Sequence, residues 1–336
     1  MNRILLLLAL GAILARPAAA DPIADFYKGR TVTLVIGYSV GGGYDLYARL
    51  VARYLGKHIP GNPEIVPQNM PGAGSLKAVK YLDSVAPADG SVIGTFGRSM
   101  GLEPLLDPKA GYDGTKFAWL GSATNDVSLC VTWKTSPIAT FQDALAKEVK
   151  LGGEGAGADP DVFALTLKNV FGAKVKLVTG FPGTNETTLA MERGEIDGLC
   201  GLSLSTLEGR HGAWLNDGSV HILDQAGIRK SPKLPNVPLL SDLTQDSEKK
   251  SILKFIVAPQ GMARPFVAPP RTPPARKAAL RAAFDAAMKD PAFLAEAEKT
   301  HIDINPVGGS EIDTMLAELY ATPKPLIAKA AAAMSR

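Results

Sequence analysis

The sequence predicts an α/β protein with mainly parallel sheets, and three observations support this fold class. Short apolar runs such as Thr31–Ile36 alternate with helical patterns, and such runs are typical of strands buried on both faces of a parallel sheet. The connections between these elements are short, as in strand–helix–strand units. The alternation restarts near residue 124, so we expect two similar halves.

Each half is predicted to repeat a strand, a glycine loop and a helix. The helix after the first strand carries Leu46, Leu50 and Leu55 on one face, which is the face expected to pack on the sheet. The strands are predicted at 31–36, 64–67, 91–96, 128–133 and 174–179. The helices are predicted at 45–59, 76–85, 141–148, 161–170, 185–193, 275–289, 312–320 and 326–334.

The N-terminus has the pattern of a secretory signal peptide. Arg3 precedes an apolar run from Ile4 to Ala15, and small residues lie before Asp21. The run is short for a membrane span. We predict cleavage after Ala20 and export to the periplasm, with an N-terminal membrane anchor as the alternative. No Cys lies near the cleavage point, which argues against a lipid anchor.

Charge and motifs exclude several classes of function. Removing Arg3 and Arg16 leaves 34 basic against 33 acidic residues, a balance of +1, and a nucleic-acid-binding protein would need a basic stripe. No segment after residue 20 has the length and apolarity of a membrane span, so the mature protein is expected to be soluble. Neither glycine loop matches a P-loop or the dinucleotide fingerprint, and no cofactor or metal is predicted.

The chain has two cysteines, Cys130 and Cys200, both in apolar stretches. Cysteine is among the most buried residue types, so two buried free thiols are the favoured interpretation. A disulfide is the alternative, since an oxidising compartment permits one.

The loop after the first strand is predicted to bind an anion through Tyr38, Ser39, Gly42, Gly43 and Tyr44. Unpaired backbone N–H groups and the positive end of a helix dipole meet there, and glycine lets a ligand approach closely. A second loop, with Gly72 and Ala73, repeats this arrangement at the same sheet edge, where ligands bind in open α/β sheets. Alternatively, the glycines only permit tight turns.

Two charged residues near these loops are further candidates for the site. Arg98 follows the third strand, where its guanidinium could grip a carboxylate; the alternative is a surface arginine. Asp45 begins the first helix, four residues before Arg49, which favours a helix-start ion pair over a ligand contact.

One pattern is typical of an enzyme. Gly37–Gly41 reads G-x-S-x-G between a strand and a helix, which is the setting of a hydrolase nucleophile elbow with Ser39 as nucleophile. Few residues precede it, whereas several strands come before the elbow in that fold. No histidine has surroundings that mark a general base. A non-enzymatic binding protein is therefore preferred.

At these residues the sequence resembles the tripartite tricarboxylate transporter receptors, also called the Bug family of periplasmic binding proteins. The resemblance covers nearly the whole chain after residue 20. It is carried by four stretches: Gly41-Gly42 with Asp45, Ala48 and Arg49; Asn69 to Gly74; Ala86 to Gly90; and Ala268-Pro269-Pro270 with Thr272-Pro273.

The resemblance implies a two-lobed, type II-like Venus-flytrap protein that closes on its ligand about a hinge. Lobe 1 would comprise 21–123 plus about 253–305 and lobe 2 would comprise 124–252, with C-terminal helices at 306–336 packed on lobe 2. The first two loops would hold the carboxylate of a small organic anion, a di- or tricarboxylate or an aromatic acid. Gly155, Phe181, Gly183 and Thr184 of lobe 2 would close on the ligand's far end.

The same resemblance implies a monomer that delivers its ligand to membrane transporter subunits. An ABC-type importer is the alternative partner. The chain departs from the family pattern at Val40, where proline is usual, at Gly43-Tyr44, which replaces a small hydroxyl pair, and at Ser75, which replaces glycine. Tyr44 would place an aromatic ring near the ligand, favouring an aromatic or longer acid. The identity of the ligand stays open.

Overall fold

A computed structural model describes residues 21–336 and has two β-sheets flanked by helices, so the predicted α/β class is confirmed. The signal peptide predicted for residues 1–20 lies outside the described residues. The strands are β1 (Thr31–Ile36), β2 (Glu64–Asn69), β3 (Val92–Thr95), β4 (Ala118–Ser122), β5 (Ser128–Trp133), β6 (Val149–Gly153), β7 (Val175–Thr179), β8 (Gly198–Ser203), β9 (Val220–Ala226), β10 (Pro265–Ala268) and β11 (Val307–Gly308).

Each sheet is mixed, which corrects the expectation of mainly parallel pairing. The first sheet has the order β11-β4-β10-β3-β1-β2, and the second has the order β7-β6-β8-β5-β9. In the first sheet β1 is parallel to β2 and β3, while β10 is antiparallel to β3 and β4. In the second, β6 is parallel to its neighbours and β5 is antiparallel to β8 and β9. The strands β5 and β10, which lie next to the points where the chain changes lobe, run against their neighbours, and so does the short edge strand β11.

Helices cover the sheets, and apolar side chains from both fill the cores. Among residues 21–336, no helix has the length and apolarity needed to cross a membrane. The helices are α1 (Pro22–Tyr27), α2 (Gly43–Leu55), α3 (Leu76–Ser84), α4 (Glu103–Leu106), α5 (Phe141–Ala146), α6 (Asp159–Phe171), α7 (Thr184–Glu192), α8 (Leu204–His211), α9 (Ser247–Val257), α10 (Pro274–Ala287), α11 (Pro291–Lys299), α12 (Gly309–Tyr320) and α13 (Lys324–Ala333).

Two adjacent segments connect the two sheets. The chain leaves the first sheet after β4 and returns to it at β10. The segments are hydrogen-bonded to each other: Ala123 N donates to Arg264 O and Ala263 N donates to Thr124 O, both at 3.0 Å. A short paired connection of this kind is where a hinge between two lobes is expected.

The C-terminal segment does not pack on lobe 2 alone, which corrects the expectation for 306–336. Strand β11 joins the first sheet, and α12 packs on β4 of that sheet. Only α13 reaches lobe 2, where it contacts α6 and α9, and it also touches α4 of lobe 1. The sequence indicated helices here but carried no signal for the face that each one buries.

Cys130 and Cys200 form a disulfide, so the preferred interpretation of two free thiols was wrong. Both residues are buried, as expected, but they lie on β5 and β8, which are paired neighbours in the second sheet. The sequence separation of 70 residues gave no indication that the two strands are adjacent.

Candidate ligand-binding site

Asp45, in the first turn of α2, holds the loop between β1 and α2 in place through hydrogen bonds. This buried carboxylate accepts hydrogen bonds from Gly41 N at 2.8 Å, Arg49 Nε at 2.9 Å and Asn69 Nδ2 at 2.8 Å. Burial raises the pKa of Asp45, but the bonds from Arg49, Gly41 and Asn69 outweigh it and hold the pKa below its usual value. Asp45 therefore shapes the loop and keeps its charge without facing the cleft.

The loop between β2 and α3 adopts left-handed backbone at four successive residues, Gly72, Ala73, Gly74 and Ser75. Ser75 Oγ accepts from Gly97 N at 2.8 Å, which ties this loop to the end of β3. Left-handed backbone is costly for residues other than glycine, and here it turns Gly74 N toward lobe 2. That amide donates to Glu154 O at 3.1 Å.

The two lobes meet along these loops. Ser39 N donates to Pro182 O at 3.3 Å, and Ser39 Oγ donates to Glu186 Oε2 at 2.7 Å. A Cβ at Gly183 would lie 2.4 Å from Ser39 Oγ, and one at Gly155 would lie 2.7 Å from Gly74 N. The contact therefore needs glycine on the lobe 2 side, and the hydroxyl of Ser39 is engaged by a carboxylate and not by an imidazole.

A small cavity is enclosed between the lobes. Its volume is about 20 Å³, close to the space that one water molecule needs. An organic acid of four or more carbons fits only if the lobes or the aromatic rings move apart. The lining residues are Tyr38, Gly43, Tyr44, Arg98, Glu154, Asp159, Pro160, Thr184, Gly201, Ser203, Thr206 and Arg264.

Arg98 is fully buried and bridges the lobes, so it is not a surface arginine. Its Nε lies 3.0 Å from Asp159 Oδ2, its Nη1 donates to Gln260 Oε1 at 2.7 Å, and its Nη2 donates to Ser203 Oγ at 2.6 Å. Burial lowers the pKa of Arg98, but the facing carboxylate of Asp159 outweighs this and raises it. The charge of Arg98 is thus already balanced within the protein.

Arg264 is equally buried but has no acidic partner within ion-pair distance among residues 21–336. Its Nη2 donates to Thr206 Oγ1 at 2.8 Å and to Ser205 Oγ at 3.4 Å, and its Nη1 donates to the carbonyl of Ala263. Ser205 Oγ in turn donates to Asp126 Oδ2 at 2.5 Å. The Nε of Arg264 is buried and makes no hydrogen bond with the described part of the chain.

Tyr38, in the first loop, and Tyr44, in α2, form an aromatic pair beside the two guanidinium groups. Tyr38 and Tyr44 stack with their ring centroids 4.6 Å apart. The hydroxyl of Tyr44 accepts from Arg98 N at 2.9 Å, and Arg264 lies over the ring of Tyr44 at 4.8 Å. Burial raises the pKa of both tyrosines, so their hydroxyls stay protonated at neutral pH.

Glu154 contributes a buried carboxyl group from the loop after β6. Its Oε1 accepts from Thr184 Oγ1 at 3.1 Å, and no basic side chain of residues 21–336 lies within ion-pair distance of it. Burial, joined by the charges of Asp161, Asp159 and Glu186, raises the pKa of Glu154 to about 8 despite the bond from Thr184. Glu154 is therefore mostly protonated at pH 7.

The predicted site residues fall into three groups. Tyr38, Gly43, Tyr44, Arg98 and Thr184 line the cavity. Asp45 lies beneath the first loop, and Phe181 packs on the hydrophobic cluster of lobe 2, so neither lines it. Those that lie where the lobes touch, or in the loops that carry this contact, are Ser39, Gly42, Gly72, Ala73, Gly155 and Gly183.

Sequence reasoning missed much of the lobe 2 wall and the hinge arginine. Glu154, Asp159 and Thr206 follow strands of the second sheet, whereas Arg264 comes directly before β10. A signal for Arg264 was present, because it is the only charge between Lys254 and Arg271. Arginine is rarely buried without a partner, so a lone arginine in an apolar stretch indicates a specific role. Among residues 21–336, no group of acidic, His or Cys side chains could hold a metal ion.

Comparison with known proteins places this geometry in a family. A UPF0065 protein from Cupriavidus necator is 27% identical over 330 residues, covering 96% of this chain and 93% of that protein. A second UPF0065 protein, from Agrobacterium vitis, is 25% identical over 277 residues, covering 80% of this chain and 75% of that protein.

Solved structures share the two-lobed fold. The periplasmic binding protein BugD matches with a TM-score of 0.73 and 18% identity over 90% of this chain and 98% of its own. MatC from Rhodopseudomonas palustris, solved with bound malate, matches with a TM-score of 0.70 and 20% identity over 89% of this chain and 99% of its own. The model of the tripartite tricarboxylate transporter family receptor matches residues 47–331. The chain belongs to this receptor family, whose members bind solutes in a two-lobed periplasmic binding protein fold.

Proposed function

We propose that this protein is a periplasmic receptor that captures a small organic carboxylate between its lobes and delivers it to a tripartite tricarboxylate-type membrane transporter. The proposal rests on one observation above all. Arg264 places a buried guanidinium against the cavity between the lobes, and no acidic side chain of residues 21–336 lies within ion-pair distance of it.

An unbalanced buried charge costs several kcal/mol, and a ligand carboxylate would remove this cost. Guanidinium is suited to the task because its fork of N–H donors matches the two oxygens of a carboxylate. Among the described residues the buried Nε of Arg264, like that of Arg98, makes no hydrogen bond, so it can donate one to a ligand. Arg98 is less suited, since Asp159 already balances its charge.

The position of Arg264 connects binding to closure. Its backbone belongs to the paired segments between the lobes, while its side chain reaches Thr206 at the start of α8 in lobe 2. A carboxylate held there would also meet Gly43 at the N-terminus of α2 in lobe 1, where the helix dipole favours an anion. One anion would thus draw the two lobes together about the hinge.

Related structures support the class of ligand. MatC was solved with malate, and another Rhodopseudomonas palustris protein of the same fold, with a TM-score of 0.70 and 18% identity over 90% of this chain and 97% of its own, was solved with adipate. Both ligands are small organic carboxylates. The periplasmic location and the transporter partner rest on family membership and on the predicted signal peptide.

A screen of organic acids tests the proposal. Purified protein starting at Asp21 is heated with a panel of mono-, di-, tri- and aromatic carboxylates, and hits are measured by titration calorimetry. A true ligand raises the melting temperature by mass action and binds with one-to-one stoichiometry. Cells that lack this protein should then take up the isotopically labelled form of the bound acid more slowly than wild-type cells do. If no carboxylate in the panel binds, the proposed function is wrong.

A further inference from the structure

The walls of the cavity carry an unequal distribution of charge. Arg98 and Asp159 form a neutral pair. Arg264 is left with one positive charge and no acidic partner within ion-pair distance among residues 21–336, while Glu154 presents a carboxyl group without a basic partner. The titratable side chains that line the cavity are these two arginines, these two acidic residues and two tyrosines.

From this balance, and resting on the proposed function, we infer that the ligand carries a single carboxylate, paired with Arg264, and a hydrogen-bond donor, hydroxyl or amine, that faces Glu154. One carboxylate neutralises the one unbalanced guanidinium. A donor group on the ligand satisfies the acceptor oxygens of Glu154. Within residues 21–336 only Oε1 accepts a hydrogen bond, from Thr184.

A second carboxylate on the ligand would meet an unfavourable environment. Three acidic side chains lie around Glu154: Asp159 and Asp161 in lobe 2 and Glu186 at the contact between the lobes. Another buried anion there would be repelled by them and would have no guanidinium left to pair with, since Arg98 is held by Asp159. An unpaired buried charge is strongly unfavourable, so the site should discriminate against a dicarboxylate of equal length.

The two possible donors, hydroxyl and ammonium, require different protonation states of Glu154. A hydroxyl can bond to the protonated carboxyl group, which predominates at pH 7 because the buried site raises the pKa. An ammonium group needs the ionised form as its counter-charge. The groups that face Glu154 and influence this proton are Asp159, Asp161, Glu186 and Tyr38, with Arg98 and Arg264 in the same cavity wall.

A matched series of acids that differ only in the terminal group tests the inference. The four-carbon set is butyrate, 4-hydroxybutyrate, 4-aminobutyrate and succinate, and the six-carbon set is hexanoate, 6-hydroxyhexanoate, 6-aminohexanoate and adipate. Calorimetry at pH 7 should show the hydroxy or amino acid binding at least ~10-fold more tightly than the diacid and the methyl-terminated acid of equal length, a difference of about 1.4 kcal/mol.

The Glu154→Gln variant distinguishes the two donors, with Glu148→Gln, an exposed position, as the matched control. An amino ligand should lose at least ~10-fold in affinity in Glu154→Gln, whereas a hydroxy ligand should stay within a few-fold, because glutamine still accepts a hydrogen bond. Melting curves verify that both variants are folded.

Several results would overturn the inference. If succinate or adipate bound most tightly, the inference would be wrong but the proposed capture of a carboxylate would stand. The same holds if the methyl-terminated acids bound as tightly as the hydroxy and amino acids. Binding of none of the eight acids would overturn it as well. The proposed function fails separately, if the wider panel of carboxylates also gives no ligand.

Discussion

At the residue scale, the site depends on how each buried charge is balanced. Asp45, Arg98 and Arg264 are all buried, but among residues 21–336 only the first two have an opposite charge within ion-pair distance. Asp45 and Arg49 are four residues apart on one helix, so their ion pair was predictable from the sequence. The partner of Arg98 comes from the other lobe, 61 positions further along the chain, and no local pattern indicates it.

Glu154 should make stability depend on pH. Its folded pKa of about 8 lies above its ordinary value of 4.5, so the folded state binds the proton more tightly than the unfolded state does. The stability that this gives is fully present below about pH 4.5 and is lost as the pH rises toward 8.

The measurement is the melting temperature of wild type and Glu154→Gln between pH 5 and pH 9. The wild-type value should fall relative to that of the variant as the pH rises to about 8 and then stay level, with each kcal/mol worth roughly 2–4 °C. Asp224, whose pKa burial raises to about 7, acts equally in both proteins and cancels. A constant difference across this range would show that Glu154 does not titrate there.

At the element scale, the strands and helices next to the glycine loops were predicted well. Strand β1 runs over Thr31–Ile36 and β5 over Ser128–Trp133, as the sequence indicated, and α2 begins at Gly43 beside the predicted start. Such elements can be predicted from the sequence because their apolar residues are strongly periodic and glycines mark their ends. Strands β8 and β9 were not predicted, because their small and polar residues interrupt the apolar pattern, so the antiparallel half of the second sheet was missed. Strands β4, β6 and β10 were not predicted either.

The disulfide should stabilise this antiparallel half. Cys130 and Cys200 link β5 to β8 across 70 residues, and closing a loop of that order is worth ~4 kcal/mol of unfolding free energy. The double variant Cys130→Ala/Cys200→Ala should lose about that much in urea unfolding. Ellman titration of denatured, unreduced wild type should find no free thiol. Two free thiols, or an unchanged unfolding curve in the double variant, would contradict this pairing.

At the scale of the whole molecule, the proposed function makes binding and closure a single event. The cavity of about 20 Å³ does not accept a four-carbon acid without movement, and the two paired connecting segments are where we expect the hinge. The two-lobed architecture could be anticipated from the repeated halves and the family resemblance. The position of Arg264 in the hinge could not, because it depends on how the two lobes face each other.

Close contact at Gly183 should be required for closure. Its φ of 175° is ordinary extended backbone, so a larger residue is tolerated locally, but its side chain would strike Ser39 across the cleft. Gly183→Val should therefore weaken ligand binding by at least ~10-fold, equivalent to about 1.4 kcal/mol, and should prevent the ligand-induced decrease in radius of gyration seen by small-angle X-ray scattering. Gly212→Val, at a position with open space around it, is the control. Normal affinity and compaction in Gly183→Val would contradict this account of closure.

The central claim is that Arg264 receives a carboxylate between the lobes. It is tested most directly by calorimetric titration of the best acid from the screen into wild type, Arg264→Gln, Arg264→Lys and the exposed-site control Arg193→Gln. We expect Arg264→Gln to lose at least ~100-fold in affinity, about 2.7 kcal/mol. Arg264→Lys should recover part of this loss, because it keeps the charge without the fork, and Arg193→Gln should match wild type. Wild-type affinity in a folded Arg264→Gln protein would contradict the claim.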